Sequence, residues 1–195
     1  MIKKIVSIIL IAALFISVPL FCVGIQSDNH TEKTRSEAES KSRTEMITGM
    51  AAAKYRKGYC AETLKALVII LNTNYKLDDS VNTDDKSEFL SEKQFTKKFG
   101  GSKYYSVIEK YAQETSSIFL TYKGRKVKIP LAEFSSGFTE PSGEYPFIKH
   151  AASPWDATES GSSTAVSLNG INELCKKGLS WRQALKHYTQ LRVSK

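Results

Sequence analysis

Apolar residues recur in three rhythms along this chain, and each rhythm predicts a different element. Near the N-terminus the rhythm is simply continuous. Ile5 to Ile25 is apolar throughout except for Ser7, Ser17, Pro19 and Gly24, and Lys3 and Lys4 precede it. A basic start and a run of this length predict a membrane-directed segment over 1–25. Lysines ahead of the run predict that the rest of the chain is exported. Three fates compete for the segment: an uncleaved anchor, a cleaved signal peptide, and a lipoprotein signal ending at Cys22. Phe21 is bulky for the lipoprotein case, and no small-x-small site precedes Gln26, so the anchor is the expectation. Residues 26–43, QSDNHTEKTRSEAESKSR, hold no large apolar side chain and read as a disordered tether.

Helical spacing follows. In Ala61 to Tyr75, Leu64, Leu67, Val68, Leu71 and Tyr75 share one face, and Ala66, Ile69 and Ile70 extend it, predicting a helix buried on most sides. Residues 76–86 are polar and read as a loop. Ser91 with Gln94 forms a capping box, Leu90 can staple onto Phe95, and Gly100 suits a stop. Tyr104 to Thr115 carries Val107, Ile108, Tyr111 and Ala112 on one face. Near the C-terminus, 171–177 reads as a short helix ended by Gly178. A second capping box, Ser180 with Gln183, opens a helix with Trp181, Ala184, Leu185 and Tyr188 on its apolar face. Between these helices the period changes. Ser117 to Phe134 holds two β-rich runs around Lys123-Gly124, which predicts a hairpin, with Pro130 marking an edge or bulge. Ser135 to Asp156 reads as loop. The sum is an α+β domain over 44–195, a hairpin packed by helices.

Charge and composition narrow the partners. The chain has 195 residues, a formal net charge of +8 and an apolar fraction of 41%, ordinary for one folded domain. A basic exported domain suits an anionic surface or polymer. No nucleic-acid-binding motif is visible. Cys22, Cys60 and Cys175 match no metal or redox spacing, and Cys60 and Cys175 read either as a pair or as two free thiols. His30, His150 and His187 show no metal-ligand spacing, so neither a metal nor a cofactor is expected.

Five pieces in order carry a resemblance: ETLKAL…NTNY, TYKGRKV, FSSGFTE, YPFIKHAASPWD and VSLNGINELCKKGLSWRQALKHY. Together they resemble the stage II sporulation protein D family, the SpoIID/LytB or amidase-enhancer domain, over about 46–188. The resemblance implies an extracytoplasmic protein acting on peptidoglycan in sporulation or cell-wall remodelling. Two activities follow from it. One is a lytic transglycosylase, in which a carboxylic acid with a raised pKa protonates the glycosidic oxygen. The other is a non-catalytic wall-binding module that assists a partner amidase or hydrolase.

The family's first helix is preceded by a glutamate, and this chain has Lys54 there; the second family glutamate is Glu62, the catalytic candidate. Asn72 and Leu168 also depart from the family pattern, replacing an arginine and a glutamine, and Ser136 replaces a glycine. Ser135, Ser136, Thr139, Glu140, Trp155 and Asp156 are the expected glycan-binding residues. Each also has a plainer role: a helix-dipole charge for Glu62, a polar turn for the serine cluster, core packing for Trp155, a turn cap for Asp156. Tyr188 is expected to pack. A Ser135–His150–Asp156 hydrolase has the residue types but no G-x-S-x-G elbow.

Overall fold

The structure, a computed structural model, describes residues 43–75, 77 and 89–194. The expected membrane segment over 1–25, nearly all of the tether, and all but residue 77 of the 76–86 loop lie outside the described residues. Among the described residues no helix is long and apolar enough to cross a membrane.

One helix organises the domain. It is α2 (Ala61–Tyr75), which follows α1 (43–54) after a short loop. Ten of its residues are buried, from Thr63 through Thr73. One side presents Ala66, Ile69 and Ile70 to a core shared with Leu120, Ile148, Val166, Ile171, Trp181 and Tyr188. The other presents Leu64, Leu67, Val68 and Leu71 to a second core with Ile47, Tyr55, Phe95 and Ile108. This is why the helix is apolar on most sides. Each large aliphatic so buried contributes roughly 1.5–3 kcal/mol. The second core is closed by α3 (Glu92–Phe99) and α4 (Lys103–Glu114). The α3 start is the expected capping box, and Gly100 ends the helix in the left-handed conformation.

The first core is closed by small sheets and the C-terminal helices. Strand β1 (Phe119–Tyr122) pairs antiparallel with β2 (Arg125–Lys126), the expected hairpin. The second arm is shorter than its β-rich run implies. Beyond Lys126 the chain turns to the end of α2: the Ile129 amide donates to Asn74 Oδ1 at 2.8 Å, and Asn74 Nδ2 donates to the Ile129 carbonyl at 2.9 Å. Pro130 then removes the next amide from any ladder. The free edge of β1 is taken instead by β7 (Arg192–Ser194), a strand too short and exposed for its pattern to announce. Next come β3 (Leu131–Ala132), β4 (Phe138–Thr139), β5 (Ala151–Ala152), a 3-10 turn over Pro154–Asp156, and β6 (Val166–Ser167). Strands β3 and β6 are parallel, β4 and β5 antiparallel. Helix α5 (Leu168–Lys176) begins three residues earlier than its apolar spacing suggests, because Ser167 caps it by accepting from the Gly170 amide. Helix α6 (Trp181–Tyr188) has the expected capping box, and Trp181, Ala184, Leu185 and Tyr188 are all buried.

Two departures from expectation stand out. The loop Ser135–Asp156 contains two short strands and a 3-10 turn. Helix α1 has a weak apolar signal, Ile47 with Ala51 and Ala52, and no element was expected there. Cys60 and Cys175 are free thiols, and burial with Cys60 nearby pushes the Cys175 thiol up to about 12.

Asn72 joins α2 to the end of α4. Its Nδ2 lies 3.3, 3.1 and 3.0 Å from the carbonyl oxygens of Thr115, Ser116 and Ile118. Asn72→Leu removes this shared donor from the junction, and the variant is expected to lose about 2 kcal/mol of unfolding free energy in urea titrations. A loss under about 0.5 kcal/mol would show that this junction is satisfied in another way.

Candidate functional site

Asp156 is 6% exposed, yet it carries a carboxylate. Burying such a group demands donors on every side. Four converge on it. The Ser135 amide donates to Oδ2 at 3.2 Å and the Ser135 hydroxyl to Oδ1 at 2.9 Å. The hydroxyls of Ser153 and Ser167 donate at closer range to Oδ1 and Oδ2. Each serine is itself supplied. Ser135 Oγ accepts from the Gly137 amide at 3.1 Å, Ser167 Oγ from the Gly170 amide at 3.0 Å, and Ser153 Oγ pairs with the Tyr188 hydroxyl at 2.7 Å. Burial, reinforced by the Asp156 charge, pushes the Tyr188 phenol up to about 12. Gly170 is required by this packing: a Cβ there would lie 2.0 Å from the Tyr188 hydroxyl and 3.0 Å from Asp156 Oδ2.

The expected glycan contacts therefore fall into two groups. Ser135 and Thr139 are fully buried and Asp156 nearly so; their polar atoms are spent inside the fold, with Thr139 Oγ1 donating to the Lys149 carbonyl at 2.9 Å. In this geometry they build the loop rather than face a ligand. Ser136, Glu140 and Trp155 are half-buried. Glu140 Oε1 lies 3.4 Å from Ser163 Oγ. The Trp155 ring has the Lys177 ammonium 4.6 Å from its centre and the His187 ring 5.8 Å away. Ser135 bonds to Asp156 and the Ser153 carbonyl, while His150 sits exposed, so the structure does not assemble the Ser–His–Asp relay.

Glu62 has a different post. Its Oε2 accepts from the Trp181 amide at 2.8 Å, at the first turn of α6, and Oε1 pairs with Lys65 at 3.1 Å. Burial would raise its pKa, but the Trp181 amide, Lys65 and the Arg182 charge outweigh that and hold the carboxyl below the ordinary value. Glu62 thus stands in the first turn of its own helix, as expected, and its carboxylate also meets the N-terminus of α6.

A cleft of about 790 Å³ lies elsewhere, between the end of α1, the 55–59 loop, the end of α3 and β3. Lys54, Arg56, Lys57 and Lys98 line it, with Tyr59 and Glu133. The aromatic cluster of Tyr55 with Phe95, Phe99 and Tyr104 supports the loop. Arg56 forms an ion pair with Glu133 and lies 5.7 Å from the centre of the Phe134 ring. The Tyr59 side chain is 5% exposed, its hydroxyl has no protein partner, and burial pushes it up to about 12. Sequence reasoning reached Lys54 only as a substitution and missed the rest of this lining. The basic and aromatic interleaving of K-Y-R-K-G-Y was the available signal. Among the described residues, no group of three or more His, Cys, Asp or Glu side chains gathers as a metal site would require. No family model and no curated protein matches the chain.

Two outcomes follow. Asp156→Asn turns an amide donor toward hydroxyl donors and is expected to cost about 3 kcal/mol in urea unfolding; a neutral result would mean the web carries no net stability. For Glu62, a folded pKa below the unfolded one gives stabilisation that is present above the ordinary carboxylate value of 4.5 and lost as pH falls through the folded value. The melting-temperature gap between wild type and Glu62→Gln should be constant at neutral pH, narrow below about pH 4.5 and close in stronger acid. A gap independent of pH would contradict the assigned contacts.

Proposed function

We propose that this chain is a membrane-tethered domain of the SpoIID/LytB type that binds peptidoglycan outside the cytoplasm without cutting it and assists a partner hydrolase such as an amidase. One observation carries the non-catalytic part. Lys54, at the position where the resemblance expects the first glutamate, stands in the wall of the 790 Å³ cleft. An ammonium of ordinary pKa is a far weaker proton donor to a glycosidic oxygen than a carboxylic acid. Glu62 does not compensate. It is outside the cleft lining and is held in its ionised form, where a general acid needs a raised pKa. Glu133 does line the cleft, but Arg56 pairs with it.

The resemblance itself draws support from the Asp156 web. Its residues come from F-S-S-G-F-T-E, S-P-W-D, V-S and the closing K-H-Y, pieces separated in sequence that meet at one carboxylate. The half-buried Trp155, with its basic neighbour, and the basic cleft are the surfaces left to meet a polymer.

The test is a digest with a binding arm. Full-length protein is incubated with intact sacculi and with denuded glycan strands; pellets are assayed for protein, and soluble products are read by mass spectrometry. Sedimentation with sacculi and no 1,6-anhydro ends are expected. Anhydro ends that vanish in Glu62→Gln or Glu133→Gln would replace this reading with a transglycosylase. Protein that stays in the supernatant would remove the wall-binding reading.

A further inference from the structure

We propose that Cys60 and Cys175 are a disulfide-forming pair, a site of oxidative modification that covalently ties the start of α2 to the end of α5. The inference goes beyond the wall-binding reading and does not depend on it.

The two thiols are far apart in sequence, and the polar bonds around them set them side by side. Cys60 stands immediately before α2, and its carbonyl accepts from the Leu64 amide at 3.2 Å, which fixes it as the helix cap. Its own amide donates to Asn172 Oδ1 at 3.0 Å. Thr63, in the first turn of α2, donates to the same oxygen at 3.1 Å. Two bonds from one end of α2 thus converge on a single side chain of α5. Cys175 follows Asn172 by three residues, on the same face of that helix. Both sulfurs gather at Thr63: Cys60 Sγ lies 3.1 Å from Thr63 Oγ1, and the Cys175 thiol is within hydrogen-bonding reach of Thr63 and of Cys60. Neighbouring sulfurs are the first requirement of a disulfide, and the fold meets it before any bond forms.

Burial gives the chemistry an order. Cys60 is half-buried and Cys175 is 8% exposed, so an oxidant arriving from solvent meets Cys60. The oxidant class is a small-molecule disulfide. Cys60 loses its proton and its sulfur attacks one sulfur of the oxidant, whose disulfide breaks to release a thiolate that takes up a proton. Cys175 then loses its proton and attacks Cys60 Sγ. The mixed disulfide breaks, and the second half of the oxidant leaves as a thiol. Two protein thiols are oxidised, and one disulfide is reduced to two thiols.

Burial, then Cys60 beside it, pushes the Cys175 thiol up to about 12; Thr63 pulls the other way, and the Glu62 charge adds to the rise. Catalytic dithiols have the opposite profile, a thiolate favoured by an electropositive, partly exposed setting. The pair is therefore suited to closing once as a staple and not to turning over. A link across so long a loop restrains the unfolded chain. It would join two helices that both pack into the first core, in a domain whose described sheets have only two or three strands.

The experiment uses the full-length protein in detergent, reduced and then treated with oxidised glutathione in native buffer and, separately, in concentrated urea. Remaining thiols are blocked, and tryptic peptides are read by mass spectrometry. The expected product joins residues 58–65, GYCAETLK, to residues 150–176, two hydrogens lighter than the separate peptides. In native buffer this link should exceed any link to Cys22 at least about tenfold; in urea that preference should disappear, because the shorter 22–60 loop closes more readily. Cys175→Ala should stop at the mixed disulfide on Cys60. In Cys60→Ala, Cys175 should take up glutathione at least about tenfold more slowly than Cys60 does in Cys175→Ala. In the wild type the mixed disulfide on Cys60 should close faster as pH rises, about tenfold per unit from pH 7 to 9, because Cys175 must first lose its proton. Oxidised protein should melt at least about 5 °C above reduced protein, and that gap should vanish in Cys175→Ala. A wild type that stops at mixed disulfides, or forms the 60–175 link in urea alone, would overturn the proposal. So would equal modification rates of the two cysteines in the single variants, or an oxidised form no more stable than the reduced one.

Discussion

A carboxylate buried among serines sets the terms for the C-terminal half of this domain. Asp156 must be met by donors or it would unfold its own surroundings. Its four donors come from the Ser135 turn, the 3-10 turn and the β6–α5 junction. Through Ser153 it reaches Tyr188, the last residue of α6. Segments with little regular structure thereby acquire fixed positions, without a large sheet to hold them. The effect extends to the cleft. The carbonyl of Glu133 accepts from the Asn169 amide at 3.1 Å, just inside α5, and Ser167 Oγ lies 3.2 Å from the same oxygen. The residue that pairs with Arg56 is therefore anchored by the backbone that also carries the web.

Helix α2 supplies the complementary constraint. It separates two apolar cores and is polar only where other elements must be tied to it. Thr63 donates to Asn172 Oδ1 on α5 at 3.1 Å, which also accepts from the Cys60 amide at 3.0 Å. Thr73 Oγ1 accepts from the Leu120 amide of β1 at 3.0 Å, and Asn72 and Asn74 secure the two flanking turns. A fully apolar helix would bury as much surface but would leave those backbone groups without partners. The polar positions choose which strands and turns dock, and the apolar ones supply the driving force.

The elements that were legible in the sequence are those whose signal is local. The capping boxes at Ser91 and Ser180, the helix of α2 and the turn at Lys123-Gly124 each depend on neighbours within four residues. What escaped depends on distant partners. Strand β7 exists because β1 has an open edge seventy-odd positions earlier, as the Thr121–Arg192 pairing shows. The early end of β2 is set by Asn74, on another element. The serine motif was visible as a polar cluster, but its side chains turn inward because one carboxylate needs them, and no local pattern states that direction. The cleft was hidden for the same reason: Lys54 and Lys57 approach Lys98 and Glu133 only once the two cores have formed.

Lys54 sets a positive group in the wall of the cleft. With Arg56, Lys57 and Lys98 it outnumbers the single carboxylate of the lining, Glu133. Glu133 limits that positive charge without cancelling it, because its partner Arg56 absorbs it first. Glu62 is committed to the start of α6 and to Lys65, where a negative charge steadies the packing of α6 on α2. Moving it away would leave the Trp181 amide without its acceptor, so the scaffold holds Glu62 in a structural post at the α2–α6 contact.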